Sequence, residues 1–323
     1  MTHAHPVRLT RFGHALGDRV VTNDALAERF GVPADEIERR SGIRERGYVS
    51  GGATSDLVVS AARRCLADAV DPADIDAVIV ATATPDRMCP SCAALVHHKL
   101  GTRRAFAFDL HAACGGFVYA LEVATALMDA RGYARVLVAG AETMSTLVDP
   151  DDRKTALVFG DGAGVALLER EGPGLRVVDT LCGLDSDRTL DVTVPGGGSL
   201  DPGARSGPRA IRFASRRVAR DGVDLLCHAA EALLDRHGLT SDELDLVVPH
   251  QPNGRMLEAA RQRLGVVPER WASNVATVGN TSAASIPILL SQLSKGGGFQ
   301  GRVLLAAVGA GYTYGAALLE AEP

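Results

Sequence analysis

Three residues of this 323-residue chain have types and neighbours that could do chemistry: a cysteine, a histidine and an asparagine. Cys114 stands in Ala112-Ala113-Cys114-Gly115-Gly116, after the apolar run Ala105–Leu110 and before a helix-period stretch, Gly116–Asp129. A thiol at a helix N-terminus lies beside unpaired N–H donors and the positive end of the macrodipole, which both favour the nucleophilic thiolate. Taken alone, Cys114 is better read as a small residue that packs well beside two glycines. His250 changes that balance. It follows the apolar strand Leu244–Val248, in Pro249-His250-Gln251-Pro252-Asn253, and the carboxyl end of a strand is where α/β proteins place ligands and catalytic groups. Asn280 precedes a second helical stretch, Thr281–Leu293, and taken alone is an N-cap. His111, close to Cys114 in sequence, is a weaker second histidine candidate.

The elements that must position these residues follow from periodicity. Short apolar runs alternate with helix-period segments, the signature of an α/β protein. The strands expected are Ala77–Ala81, Ala105–Leu110, Arg135–Ala139, Gly164–Leu168, Leu244–Val248, Trp271–Val275, Val303–Ala307 and Gly315–Leu319. Helices are expected at Leu57–Ala69, Cys92–Leu100, Gly116–Asp129, Asp221–His237, Arg255–Leu264 and Thr281–Leu293, with a loop-rich excursion at 183–208. The two halves echo one another. Asp74–Val80 is echoed by Glu243–Val248, Arg135–Ala139 by Arg302–Ala306, and Gly162–Glu169 by Gly311–Glu320. Three echoes in the same order imply an internal duplication, with halves at 1–170 and 171–323. On that reading Cys114 and Asn280 hold equivalent places, each opening the central helix of its half.

Composition removes other classes. A net charge of −5 offers no overall basic field, which argues against nucleic acid as the main partner. Hydrophobic residues at 46% and charged residues at 23% describe a soluble globular chain. No apolar run approaches the roughly 18–20 residues of a membrane span, and Met1–Pro6 lacks the regions of a signal peptide, so a cytoplasmic protein without a membrane partner is expected. The six cysteines are scattered and form no disulfide framework. Cys89-Pro90-Ser91-Cys92 is a single C-x-x-C before an apolar helix start, so no metal site is expected.

Longer motifs join these residues. Ser41-Gly42-Ile43-Arg44-Glu45-Arg46, Ala112–Gly116, Phe159-Gly160-Asp161-Gly162-Ala163-Gly164, Val248–Asn253, Gly279-Asn280-Thr281-Ser282-Ala283-Ala284-Ser285-Ile286-Pro287 and Gly309-Ala310-Gly311-Tyr312 span the chain. With them the sequence resembles the thiolase superfamily, and within it the β-ketoacyl-acyl carrier protein synthase III branch. The resemblance implies a duplicated five-layered α-β-α-β-α fold with two mixed sheets. It implies a homodimeric condensing enzyme that joins an acyl-CoA primer to malonyl-acyl carrier protein, in fatty acid or polyketide-type biosynthesis. Coenzyme A and phosphopantetheine thioesters would be substrates, and no cofactor is needed. Cys114 would carry the acyl group, with the N–H groups of Cys114 and Ala310 as the oxyanion hole. His250 and Asn280 would donate hydrogen bonds to the enolate left when malonyl loses CO2.

The resemblance further implies that Arg40 and Arg153 contact coenzyme A phosphates, and that Asn253 lies near the pantetheine. Arg255, with Arg261 and Arg263, would form a basic face for the carrier protein. Where the family has other residues, this chain has Glu36 in place of an adenine-stacking tryptophan, Cys89 and Val308 in place of phenylalanines, and Ser215-Arg216 beside the pantetheine tunnel. Lost aromatic volume at Cys89 and Val308 suggests a primer larger than acetyl. Arg87, Arg216 or Arg217 would instead suit a dicarboxylic, glutaryl-like primer. The alternative on the same fold is an acyltransferase with a non-malonyl acceptor, and the alternative from another class is a noncatalytic partner of a synthase assembly.

Overall fold

The apolar runs are buried on both faces, and their alternation sorts the chain into layers. The computed structural model describes residues 6–322 except 68, 206–208, 215 and 216. Nine strands form the main sheet: β1 (Arg8–Leu16), β2 (Ala77–Ala81), β3 (Phe106–Leu110), β4 (Arg135–Thr143), β5 (Asp161–Glu169), β6 (Gly174–Leu184), β7 (Leu246–Pro249), β8 (Arg302–Gly309) and β9 (Thr313–Glu322). Their order is β7-β8-β9-β6-β1-β5-β4-β2-β3. The two mixed sheets expected are present as the two sides of this run. β2 is parallel to β3 and β4, and β4 antiparallel to β5; β7 is parallel to β8, and β8 antiparallel to β9. The sides meet where β1 pairs with β6, through Arg8↔Arg176 and Leu9↔Leu175.

Six helices matter for the site: α1 (Thr54–Leu66), α2 (Cys92–Leu100), α3 (Gly116–Arg131), α4 (Val218–Arg236), α5 (Gly254–Arg263) and α6 (Ser285–Lys295). Ala77, Ile79, Val136 and Val138 from one side, with Val303, Leu305 and Ala307 from the other, enclose Phe117, Leu121, Ile286 and Leu289 of α3 and α6. The intervening residues face outward. Val78, Val80, Leu137 and Ala139 pack under α1 and α2, whereas Val247, Leu304 and Ala306 pack under α4 and α5. A period of two in strands buried on both faces thus yields five layers with α3 and α6 in the middle. Segment Ala113–Arg131 is, by length and composition, apolar enough to cross a membrane, contrary to the sequence expectation. Here half of it is buried in the molecule, as the central core helix.

Several elements differ from expectation. Trp271–Val275 is not a strand: only a single bridge, Val247↔Trp271, forms, and a short helix begins at Val275. β1 and β6 were not expected, because their apolar residues are interleaved with arginines and threonines. Those arginines are neutralised at the strand ends by Glu320 and Glu322: Arg8 and Arg176 each reach Glu322, at 2.7 and 2.6 Å. The helices Asn23–Phe30 and Ala34–Ser41 were also missed. Inside the excursion, β6 runs on to Leu184, a 3-10 turn spans Ser186–Asp191, and Val192–Thr193 pairs with Arg212–Phe213.

Candidate active site

Between β3 and α3 the chain makes a 3-10 turn, Ala113–Gly115, with Ala113 held at a φ of 45°. The Thr313 hydroxyl pins it, donating to the Ala112 carbonyl at 2.9 Å. Gly309, at the end of β8, passes so close that a Cβ there would stand 2.8 Å from the Cys114 nitrogen. That contact is why Gly309-Ala310 can bring backbone against the cysteine. Cys114 is half-buried, and burial pushes its thiol up to about 12; a Ser282 hydrogen bond lowers it, the Glu142 charge raises it, and the thiol's own N–H lowers it. The helix-start argument for a resting thiolate is therefore outweighed by desolvation. Cys114 rests as a thiol, and its proton must leave when it attacks.

The second half presents a matching turn. Ser282 has a φ of 51° and opens a 3-10 turn, Ser282–Ala284, directly before α6. Ala113 and Ser282 are therefore the equivalent positions, which pairs Cys114 with Ala283 and His111 with Asn280. The sequence expectation that Cys114 matches Asn280 was out of register, because the approach to α6 is a short helix and a turn rather than a strand. His111 itself is exposed.

Asn280 is fixed by its backbone. Its N–H donates to the Val158 carbonyl at 2.9 Å, and its carbonyl accepts from Gly160 N–H at 3.0 Å. Its Oδ1 accepts from Ser282 N–H at 2.9 Å, so the side-chain oxygen is committed and the NH2 is the group on offer. His250 is 1% exposed, and burial lowers its pKa to about 3, leaving a neutral imidazole. Its Nδ1 lies 2.8 Å from Ser285 Oγ, which also accepts from Gln251 N–H at 3.4 Å. With Gln251 donating to that oxygen, the Ser285 hydroxyl is free to give its proton to Nδ1, the arrangement in which the ring proton is carried on Nε2. The single turn Asn280–Ser285 thus bears on all three candidates: Ser282 sits in the part of it packed against the turn of Cys114 and lowers that thiol, Asn280 belongs to it, and Ser285 orients His250.

Sequence reasoning missed Glu142. This carboxyl at the end of β4 is fully buried, and burial raises its pKa to about 7 against hydrogen bonds from Thr84, Ala83, Ser282 and Thr82. The rule that singled out His250, a polar residue closing an apolar strand, would also have found Glu142.

The remaining candidates are dispersed. Arg40 is paired with Glu36, the residue that stands in place of the tryptophan. Arg153 is exposed at the start of a short helix. Asn253 caps α5, its Oδ1 accepting from Met256 N–H at 3.0 Å. Of the expected basic face, Arg261 pairs with Glu258 and Arg263 with Asp224 at 2.5 Å, while the exposed Arg255 reaches the Arg39 carbonyl. The face is therefore largely neutralised by its own helix and by α4. Arg87 lines a cavity of about 400 Å³ with Thr54, Thr84, Thr143, Thr146 and Arg209. Cys89, two residues on, is exposed. Val308 lies elsewhere, packed on the outer face with Leu226 and 3.8 Å from where a Gly222 Cβ would be. Within one chain it does not share the Arg87 cavity. Ser215 and Arg216 lie outside the described residues.

Five layers, a duplicated turn at the heart of each half and a cysteine on one of them define a thiolase-like condensing enzyme. Comparison with known proteins narrows the class. The profile of 3-oxoacyl-[acyl-carrier-protein (ACP)] synthase III matches residues 108–186, and that of its C-terminal region matches residues 234–321. A β-ketoacyl-[acyl-carrier-protein] synthase III of Nitratidesulfovibrio vulgaris is 41% identical over 97% of this chain and 97% of its own. The β-ketoacyl-[acyl-carrier-protein] synthase III 3 of Streptomyces coelicolor is 42% identical over 96% of each. Among solved structures, the synthase III of Pseudomonas aeruginosa superposes with a TM-score of 0.91 at 33% identity, covering 98% of this chain and 99% of that one. The priming β-ketosynthase of the R1128 polyketide pathway gives 0.90 at 32%, covering 100% and 98%. The chain belongs to the 3-oxoacyl-[acyl-carrier-protein] synthase III family.

Proposed function

We propose that this protein is an acyltransferase that condenses an acyl-CoA primer with malonyl-acyl carrier protein, as a cytoplasmic homodimer and without metal or redox cofactor. The observation that carries the reading is the Asn280–Ser285 turn, which couples a half-buried thiol, an offered amide and an oriented imidazole. In the first half-reaction Cys114 sulfur attacks the primer carbonyl, its proton leaves, and the coenzyme A thiolate departs. The Cys114 and Ala310 N–H groups stabilise the tetrahedral oxyanion. In the second, the malonyl carboxylate leaves as CO2 and its bonding pair becomes an enolate. His250 Nε2–H and the Asn280 NH2 donate to the enolate oxygen. Both donors are neutral, so neither protonates the carbanion outright, and the carbon attacks the acyl group and expels the Cys114 thiolate. Asn253, Arg153, Ser215 and Arg40 would hold the pantetheine and phosphates, with Arg40 weakened by Glu36. Arg255 would meet the carrier, and Arg87, Cys89 and Val308 would shape the primer site.

The test is intact mass of the protein after a panel of acyl-CoAs, with and without Cys114→Ala, followed by malonyl-acyl carrier protein and measurement of CO2 and β-ketoacyl product. An adduct that depends on Cys114 and malonyl-dependent CO2 release are expected. An adduct that survives Cys114→Ala sinks the nucleophile assignment, and acylation without decarboxylation favours a non-malonyl acceptor.

A further inference from the structure

Glu142 has no part in the mechanism above, yet it is a fully buried carboxyl one hydroxyl away from the nucleophile. Its other neighbours are all turned toward it. The Thr84 hydroxyl accepts from Thr143 N–H at 2.9 Å and so gives its proton to Glu142 Oε2 at 2.6 Å. The Thr82 hydroxyl accepts from Thr84 N–H at 3.0 Å and turns its proton to the same oxygen at 3.4 Å. Ala83 N–H lies 3.1 Å from both carboxyl oxygens. The fourth donor differs in kind: Ser282 Oγ is 3.1 Å from Oε1, and its turn, Ser282–Ala284, packs against the Ala113–Gly115 turn that carries Cys114, with the Ser282 hydroxyl toward the sulfur. Ser282 is held there by a left-handed backbone that glycine would adopt at less cost, so its side chain has a reason to be kept.

We propose that Ser282 and Glu142 are the route by which the Cys114 proton leaves and returns, Cys114 giving its proton to Ser282 Oγ as the Ser282 hydroxyl proton passes to Glu142 Oε1. One S–H and one O–H bond break, a new Oγ–H and an Oε1–H form, and one negative charge moves from carboxylate to sulfur. Acylation then discharges the sulfur, the departing coenzyme A thiolate takes a proton from water, and Glu142 keeps its proton. When condensation expels the Cys114 thiolate, the proton returns through Ser282. The cycle consumes one proton, as decarboxylative condensation requires. The titratable groups facing Glu142 are the thiols of Cys114 and Cys92, with Asp86 and Asp109 beyond Cys92. Burial favours the proton on Glu142 once the sulfur charge has been taken up by the acyl group. Glu142 is in this scheme a positioning residue that acts through Ser282.

The inference rests on Cys114 as nucleophile but not on which primer it takes. Its test is the rate at which iodoacetamide alkylates Cys114 in the whole protein at pH 7, read by peptide mass, which needs no acyl substrate. A carboxylate that acts only as a passive charge holds the thiol protonated, so Glu142→Gln would speed alkylation; loss of packing would expose the thiol and speed it too. The relay predicts the opposite sign: Glu142→Gln and Ser282→Ala each slow alkylation at least about tenfold, and Glu142→Asp recovers part of the rate. Alkylation of Glu142→Gln at or above the rate of the parent protein overturns the proposal. Should that variant fail to fold, Ser282→Ala decides, since Glu142 then keeps its other three donors, and an unchanged rate there overturns it equally.

Discussion

Replacing Ser285 by alanine removes one oxygen and should separate the two half-reactions. In the parent protein that oxygen satisfies the buried His250 Nδ1 at 2.8 Å and accepts from Gln251 N–H at 3.4 Å. Without it Nδ1 is a buried polar atom with no partner, which costs about 1–3 kcal/mol of stability. Single domains of 150–250 residues lose about 2–4 °C of Tm per kcal/mol, so a fall of several degrees is expected. The chemical consequence is separate. The Ser285 hydroxyl selects the tautomer with its proton on Nε2, and a selecting bond worth about 1–1.5 kcal/mol corresponds to roughly tenfold in the population that can donate to an enolate. CO2 release from malonyl-acyl carrier protein should fall about tenfold, while acylation of Cys114, which uses backbone N–H groups, should hold within about twofold. Labelled CO2 capture and intact-mass acylation rates measure the two. Equal losses in both half-reactions, or neither loss with an unchanged Tm, would refute the assigned tautomer.

Proton linkage gives a second expectation, with opposed signs. His250 falls from 6.5 to about 3 on folding, so it adds stability that is complete above pH 6.5 and is lost as pH drops toward 3. Glu142 rises from 4.5 to about 7, so its contribution is complete below pH 4.5 and is lost as pH climbs to 7. Each is worth roughly 1 kcal/mol per pH unit, and between pH 4.5 and 6.5 they cancel. Urea unfolding should therefore show the parent protein nearly level across that window, His250→Gln losing stability as pH rises, and Glu142→Gln gaining it; three parallel curves would contradict both assignments. Gly140→Ala should be severe, because its Cβ would fall 2.1 Å from the Ala283 carbonyl oxygen, driving β4 from the catalytic turn. A loss of at least about 1–3 kcal/mol with collapse of CO2 release is expected, and normal turnover would show that the turn can shift freely.

Residues whose surroundings are uniform were legible in the sequence. β2, β4 and β8 are apolar on both faces, so their runs could be seen, and α3 and α6 followed from the stretches behind Cys114 and Asn280. β1 and β6 were hidden because Arg8, Thr10 and Arg176 interrupt them, and only the tertiary pairing with Glu320 and Glu322 makes arginine tolerable beside a central strand. The site was legible as a set of types, Cys114, His250 and Asn280, but not as a geometry. Its register depended on Ser282 matching Ala113, which positive φ reveals and residue identity conceals. The state of Cys114 was misjudged for a similar reason: the helix start is visible in sequence, whereas the desolvation that outweighs it comes from packing. Glu142 went unnoticed because it stands on β4 while its hydroxyl and amide partners converge from the loop after β2 and the turn before α6.

The two-residue junction between β1 and β6 bears on how the chain is made. β1 is synthesised first, but its long partner, β5, begins at Asp161, and β6 comes later still. At 5–20 residues per second, the nascent strand waits on the order of ten seconds without a strand neighbour, with only α1 made early enough to cover it, through Gly13 against Ala61 and Cys65. It cannot nucleate the sheet it will occupy, and local units such as β2, α2 and β3 must form around a gap. The N-terminal segment is then a keystone set late, long-range in every contact and slow to close. Trimming the first sixteen residues, a harmless-looking cut at a chain end, would remove the middle of the sheet and leave two half-molecules with exposed edges.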